Sequence, residues 1–383
     1  MKYFIQQNPE IGFNIYLQLI FFFVGIFLIS LLLIPKIRLL VLQLNVKDIP
    51  DHRSSHSIPI PSFGGIIFYI SYILVLFFLQ FYDDHYVSLT LLASISVLFF
   101  TGILDDIANI SAKFKLLGQI LGVGLLMFQP DFRILTLHGF MGIYEIPLAF
   151  SVVGSMFFLL ALVNAFNLID GIDGLTAITG IIVASFYSYM FYQLGYFYYL
   201  YISITTIATL LAFLRFNFSV TKKIFMGDTG SLTIGLVLGL LTLKLMCSDA
   251  IYTALNFNQE QLPLLLLGVL FVPILDMCRV MLIRFFKGVS MFKPDRNHLH
   301  HIIVDYGLSH RKASFCIGLV NFIVGLIMFF VIRNYRPLQS TLLLITIFVG
   351  SILLLFFMNK NKAALKLKIK IKNSMLRMFF FLW

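Results

Sequence analysis

Long runs of apolar residues, broken at short intervals by polar ones, dominate the chain. They fall at 15–35, 62–82, 86–104, 113–128, 148–166, 174–194, 197–214, 229–246, 263–286, 314–332 and 338–358. About 20 predominantly apolar residues are needed to cross a bilayer as a helix. The pattern therefore predicts an all-α polytopic membrane protein of about eleven spans, or ten if the 16-residue run at 113–128 does not cross. Residues 1–358 read as one helical domain and 359–383 as a basic tail. Between 129 and 147, strand-like runs flank His138-Gly139-Phe140-Met141-Gly142, which predicts a small β-hairpin. Glu10 before the first run, that run's length and the lack of a small-residue cleavage site argue against a cleavable signal.

Composition agrees with this reading. Of 383 residues 60% are apolar and 12% charged, far from the balance of a soluble domain. Cys247, Cys278 and Cys316 suggest neither a disulfide framework nor a metal spacing. The net charge of +11 belongs to loops rather than to a nucleic-acid surface. With the N-terminus outside and eleven crossings, 23 of the 28 lysines and arginines fall inside. That bias predicts a cytoplasmic C-terminus. The alternating basic and apolar residues of the tail suit anionic lipid.

Ionisable residues near membrane depth are costly and point to function. Five inside segments carry most of them. Asp48 to His56 holds Arg53 and His56, and runs on into prolines and Gly64-Gly65. Asp105 and Asp106 adjoin at the end of a span, where a metal or a lysine such as Lys113 would offset their repulsion. Asn164, Asn167, Asp170 and Asp173 recur every third residue, with glycines at 171 and 174. Phe225-Met-Gly-Asp228-Thr-Gly-Ser places an acid at a helix N-terminus between glycines, which suits phosphate oxygens or a metal bridging to them. Asp295-Arg-Asn-His298-Leu-His300-His301 lies among arginines and lysines, a setting that favours phosphate over zinc. Asp276 and Arg279 are spaced to pair on one helix face.

In this order and on one side, the five segments resemble the polyprenyl-phosphate N-acetylhexosamine-1-phosphate transferase family, over about residues 45–302. That family includes the first enzymes of O-antigen, enterobacterial common antigen and teichoic-acid linkage synthesis, and the phospho-MurNAc-pentapeptide translocase. Asn-Leu-Ile-Asp-Gly-Ile-Asp-Gly and Met-Gly-Asp-Thr-Gly-Ser are the most specific parts. The last loop resembles the N-acetylglucosamine-1-phosphate branch. Arg53 is followed by Ser54, where the family often has Arg-Lys before the histidine.

The resemblance implies transfer of a hexosamine 1-phosphate from a UDP-sugar, UDP-GlcNAc first among them, to undecaprenyl or another polyprenyl phosphate. UMP is released, and a cell-envelope polysaccharide is begun at the cytoplasmic face of the bacterial inner membrane. It implies Mg²⁺ or Mn²⁺ at Asp228, Asp105 and Asp106, and catalysis by Asp105, Asp106, Asp228, His300 and His301. Arg53, His56, Asn167, Asp170, Asp173, Phe225, Arg279 and His298 would bind substrate, with Phe225 stacked on uracil. It leaves a homodimer open and involves no nucleic acid. The alternatives are transfer of phospho-MurNAc-pentapeptide and, from other classes, a transporter, an intramembrane metallohydrolase or a non-catalytic carrier binder. Acids at span ends, without a repeat, argue against the transporter.

Overall fold

The computed structural model describes residues 9–44, 47–48, 60–79, 85–248, 255, 258–290 and 297–381. It is a bundle of helices: α1 Pro9–Gln43, α2 Ile66–Leu79, α3 His85–Ala108, α4 Ala112–Leu126, α5 Leu148–Ile169, α6 Leu175–Leu194, α7 Phe197–Asn217 and α8 Gly227–Met246. There follow α9 Leu262–Val269, α10 Phe271–Phe286, the short α11 Leu299–Asp305, α12 His310–Asn334 and α13 Pro337–Phe381. Eight of these are long and apolar enough to cross a membrane, or nine if α9 and α10 make one bent span. Two expected spans, α2 and α4, are helices of only 14 and 15 residues. The chain is thus a multi-pass helical membrane protein, with fewer full-length spans among the described residues than the apolar runs suggest.

Helix α8 is the axis of the bundle. Every residue from Thr229 to Leu243 is buried, as expected of a helix that is apolar all round. α2, α3, α5 and α6 pack around it. Buried hydroxyl pairs tie neighbouring helices, with Tyr187 to Thr242 at 2.6 Å and Tyr72 to Thr206 at 2.8 Å. Two-residue strands, β1 Lys47–Asp48 and β2 Ile60–Pro61, pair antiparallel between α1 and α2. The basic stretch after 358 continues α13 without a break.

The segment 129–147 is not a pair of strands. It holds 3₁₀ turns at Pro130–Phe132 and Phe140–Gly142. His138, Gly139, Met141 and Gly142 all have positive φ, which tightens the loop. The amide of Ile134 donates to the Ser155 hydroxyl at 2.8 Å instead of to a neighbouring strand, and Phe132 is drawn into the core. Of a ladder, the bond from Ile146 N to Leu135 O remains, at 2.8 Å.

Helices α9 and α10 meet at 73°. Such a break strands backbone groups in an apolar environment, where each unmet group is costly. Asn321 on α12, fully buried, closes it. Its Oδ1 accepts from Val272 N and its Nδ2 donates to Val269 O, both at 2.9 Å. Asn321→Leu is expected to destabilise the protein by about 2–4 kcal/mol, since two buried groups lose their partner. Thermal unfolding in detergent checks this, and an unchanged midpoint would remove Asn321 from the joint.

Candidate active site

The chemistry gathers at one end of the bundle, where α3 and α5 finish and α4 and α8 begin. Asp105 and Asp106 end α3, and the chain turns at Asn109 into α4. Helix α4 points Lys115, Gln119, Gly122 and Leu126 inward along one stripe, the last three fully buried. The Lys115 ammonium donates to Asp105 Oδ2 at 2.9 Å, to Asn167 Oδ1 at 3.2 Å and to Asp228 Oδ2. The lysine that meets the acidic pair is therefore Lys115, while Lys113 is exposed. Asn167 Nδ2 donates onward to Asp228 Oδ1 at 2.6 Å and to Ser231 Oγ at 2.9 Å. Lys115, Asp105 and Asp228 keep 17%, 14% and 28% of their side-chain surface exposed, so the cluster is open to a substrate.

Asp106 does something else. The resemblance implies a metal ligand at this position; in the structure both of its oxygens serve the first turn of α8. Oδ1 accepts from Asp228 N at 2.8 Å, and Oδ2 from Thr229 N at 3.0 Å and Thr229 Oγ1 at 2.6 Å. The amides at a helix start lack intrahelical partners and carry partial positive charge. A carboxylate satisfies both needs. Gly227, with φ +70, makes this approach feasible, because a Cβ there would lie 2.6 Å from the Asp106 carboxylate.

The Asn-x-x-Asn-x-x-Asp-x-x-Asp series splits by role. Asn164 exchanges amide hydrogen bonds with Gln119 of α4 at 2.8 and 3.3 Å and is a helix–helix tie. Asn167 joins the cluster. Asp170 ends α5, within electrostatic reach of Asp228, Asp106 and Asp173. Burial pushes its carboxyl up to about 7, and those three negative charges add to the effect. Asp173 faces Lys223 at 2.6 Å and His310 at 3.4 Å. Burial would raise it, but these partners hold it below the usual carboxylate range. Lys223 also lies over the Phe225 ring, 5.3 Å from its centre.

The preference of Asp170 for its proton has a sign. Its contribution to stability is full below about pH 4, the ordinary carboxylate value, and is lost as pH rises through about 7. In metal-free detergent, wild type is therefore expected to lose melting temperature relative to Asp170→Asn between roughly pH 4 and 7, and to level off above that. A difference that does not vary with pH would mean that Asp170 ionises freely.

The histidine segment is organised by α10. Asp276, almost fully buried, accepts from Leu299 N at 2.7 Å, pairs with His298 Nδ1 at 2.8 Å and faces Arg279 at 3.3 Å. Arg279 also donates to the Asn297 carbonyl. The expected Asp276–Arg279 pair thus exists and docks the loop. The His298 and His300 rings are parallel, 5.7 Å apart, and His301 lies 4.2 Å from His300. His300 is buried with neither ring nitrogen hydrogen-bonded. Its Nε2 lies 2.1 Å from where a Cβ on Gly171 would stand, so only glycine fits next to Asp170. Burial, with His301 beside it, pushes His300 down to about 3, and the ring is neutral near pH 7. Arg53 and His56 lie outside the described residues.

The oxygens on Lys115 come from two carboxylates and an amide. Among the described residues, no three His, Cys, Asp or Glu side chains form a metal site by themselves. Two carboxylates plus substrate oxygens is nonetheless the usual way to hold Mg²⁺. The donor set of Asp105, Asp228 and Asn167 fits a hard divalent ion.

Residues 88–246 match the model of a family described as Glycosyl transferase family 4. That stretch contains Asp105, Asp106, Lys115, Asn167, Asp170, Asp173, Phe225 and Asp228. The chain is 28% identical over 348 residues to a Bacillus subtilis (strain 168) protein named probable undecaprenyl-phosphate N-acetylglucosaminyl 1-phosphate transferase, covering 89% of this chain and 90% of the relative. It is 28% identical over 300 residues to the undecaprenyl-phosphate alpha-N-acetylglucosaminyl 1-phosphate transferase of Salmonella typhi, covering 77% and 79%. The protein of the same name from Escherichia coli (strain K12) is 29% identical over 301 residues, also covering 77% and 79%. The chain is thus similar to glycosyl transferase family 4 over residues 88–246, and to these transferases over most of its length.

Proposed function

We propose that the protein transfers N-acetylglucosamine 1-phosphate from UDP-GlcNAc to undecaprenyl phosphate, giving undecaprenyl-diphosphate-GlcNAc and UMP. The names of its relatives support this reading. The observation that carries it is the convergence of Asp105, Asp228 and Asn167 on Lys115 at an accessible end of a membrane bundle. The reaction would run at the cytoplasmic face of the inner membrane and begin a cell-envelope polysaccharide, with the N-terminus outside as the loop charges favour.

A phosphate oxygen of the lipid attacks the phosphorus attached to the sugar. The bond from that phosphorus to the bridging oxygen breaks, and UMP leaves. Such transfers need mainly alignment and charge stabilisation. Asp105, Asp228 and Asn167 would hold Mg²⁺ or Mn²⁺, whose charge offsets the repulsion between two anionic substrates. Asp106 holds the first turn of α8, and with it Asp228, in place. The alternative role for Asp105 is as base: for a lipid phosphate that arrives protonated, it would take the proton instead of holding the cation. Phe225 offers a ring face for uracil, and Asp173, in the turn after α5 with Asp170, is tied to Phe225's loop through Lys223. His300, buried with both nitrogens unpaired, would meet a phosphate oxygen only if substrate entry opens the contact with Gly171, with Arg279 and His298 fixing the loop that carries it.

The test is UMP release by purified protein given undecaprenyl phosphate, UDP-GlcNAc and Mg²⁺. If neither UDP-GlcNAc nor UDP-GalNAc yields UMP or a lipid-linked sugar, the enzymatic reading is wrong.

A further inference from the structure

We propose that Lys115 is a built-in counter-ion that occupies the seat of the divalent cation in the substrate-free protein. Cation binding is then conditional on the ammonium being drawn away by the anionic substrate. The inference rests on the metal-assisted reading above.

One ammonium touches one oxygen from each of Asp105, Asn167 and Asp228. Those are the oxygens a hard cation would take, and the two cannot share them. Without Lys115, two carboxylates would face each other at a half-buried site, an arrangement that is strongly disfavoured. The ammonium removes that repulsion while no substrate is present. The stem of Lys115 leaves from the first turn of α4, and four rotatable bonds let the head move. A diphosphate entering beside Asp228 supplies the ammonium with new oxygen partners. The vacated oxygens then become available to the cation.

Cation and nucleotide-sugar should therefore bind with positive coupling, which acts equally on both. The site would also stay closed to divalent ions until there is a substrate to activate.

The test counts free Mn²⁺ by electron paramagnetic resonance, against substrate-free protein in detergent. Wild type should bind Mn²⁺ weakly. Lys115→Gln should bind at least about tenfold more tightly, as removal of a unit charge within bonding distance implies. Lys115→Arg, which keeps the charge, should bind as weakly as wild type. Asp228→Asn in the Lys115→Gln background should lose the gain, placing the ion at this site.

Equal affinity in wild type and Lys115→Gln would overturn the inference and leave the metal reading standing, provided Asp228→Asn binds less. Absence of Mn²⁺ binding in every variant would overturn both. If Lys115→Gln purifies unfolded in chelator, its refolding is the readout. Recovery of its thermal transition by Mn²⁺, and not by sodium chloride of equal ionic strength, then supports the exchange. Failure of Mn²⁺ to restore it would show a purely structural lysine and end the proposal.

Discussion

Asp228→Asn is expected to lower turnover by about a hundredfold or more, the scale of losing one preorganised electrostatic group at a reacting centre. The residue stands where three demands meet. Its Oδ2 holds Lys115, its Oδ1 accepts from Asn167 at 2.6 Å, and its backbone amide is fixed by Asp106 at 2.8 Å. The substitution keeps size and shape and removes only the charge. Helix α8 should therefore form as before, and the melting temperature should stay close to that of wild type. UMP release under saturating substrates and Mg²⁺ reads the effect. Activity within threefold of wild type would take Asp228 out of the site, and with it the oxygen cluster on which the functional reading stands.

Much of this arrangement was legible in the sequence. The apolar runs locate the helices because burial in lipid demands length and apolarity, and both are visible in a single chain. The motifs around Asn167 and Asp228 are equally visible, since polar groups crowded beside apolar spans need a reason. Three features were not legible. Lys113 and Lys115 look alike as charges near Asp105. What separates them is the inward stripe of Lys115, Gln119, Gly122 and Leu126, a helical period weakened by the glycine and by polar residues on its buried face. The roles of Asp105 and Asp106 depend on which way two adjacent side chains leave the end of α3, and that is fixed by the distant start of α8. The bend between α9 and α10 is closed by Asn321, some fifty residues later in the chain, so nothing near the break announces it. The predicted hairpin failed for a related reason: an amide that a strand would have paired is taken by Ser155 from another helix.

The two adjacent aspartates give the sharpest separation between holding a ligand and placing one. Asp106→Ala is expected to lower turnover by about a hundredfold, as a displacement of roughly 1 Å at the reacting centre does. It should also destabilise the protein by about 2–4 kcal/mol, since the α8 amides and the Thr229 hydroxyl lose their acceptor. Asp106→Asn retains one acceptor oxygen and should recover part of both losses. Asp105→Asn should behave differently: its neighbours keep their hydrogen bonds, the fold is little affected, and the deficit lies in the divalent cation. In a Lys115→Gln background, where Mn²⁺ binding can be counted without competition, Asp105→Asn should weaken it by about tenfold, the scale of one lost charge contact at a half-exposed site. Asp106→Asn should leave it within about threefold, since neither of its oxygens faces the Lys115 seat. If Asp106→Asn instead weakens Mn²⁺ as much as Asp105→Asn does, the helix start is not the reason for Asp106. Both carboxylates then belong to the ion, and the first turn of α8 must rearrange when it binds.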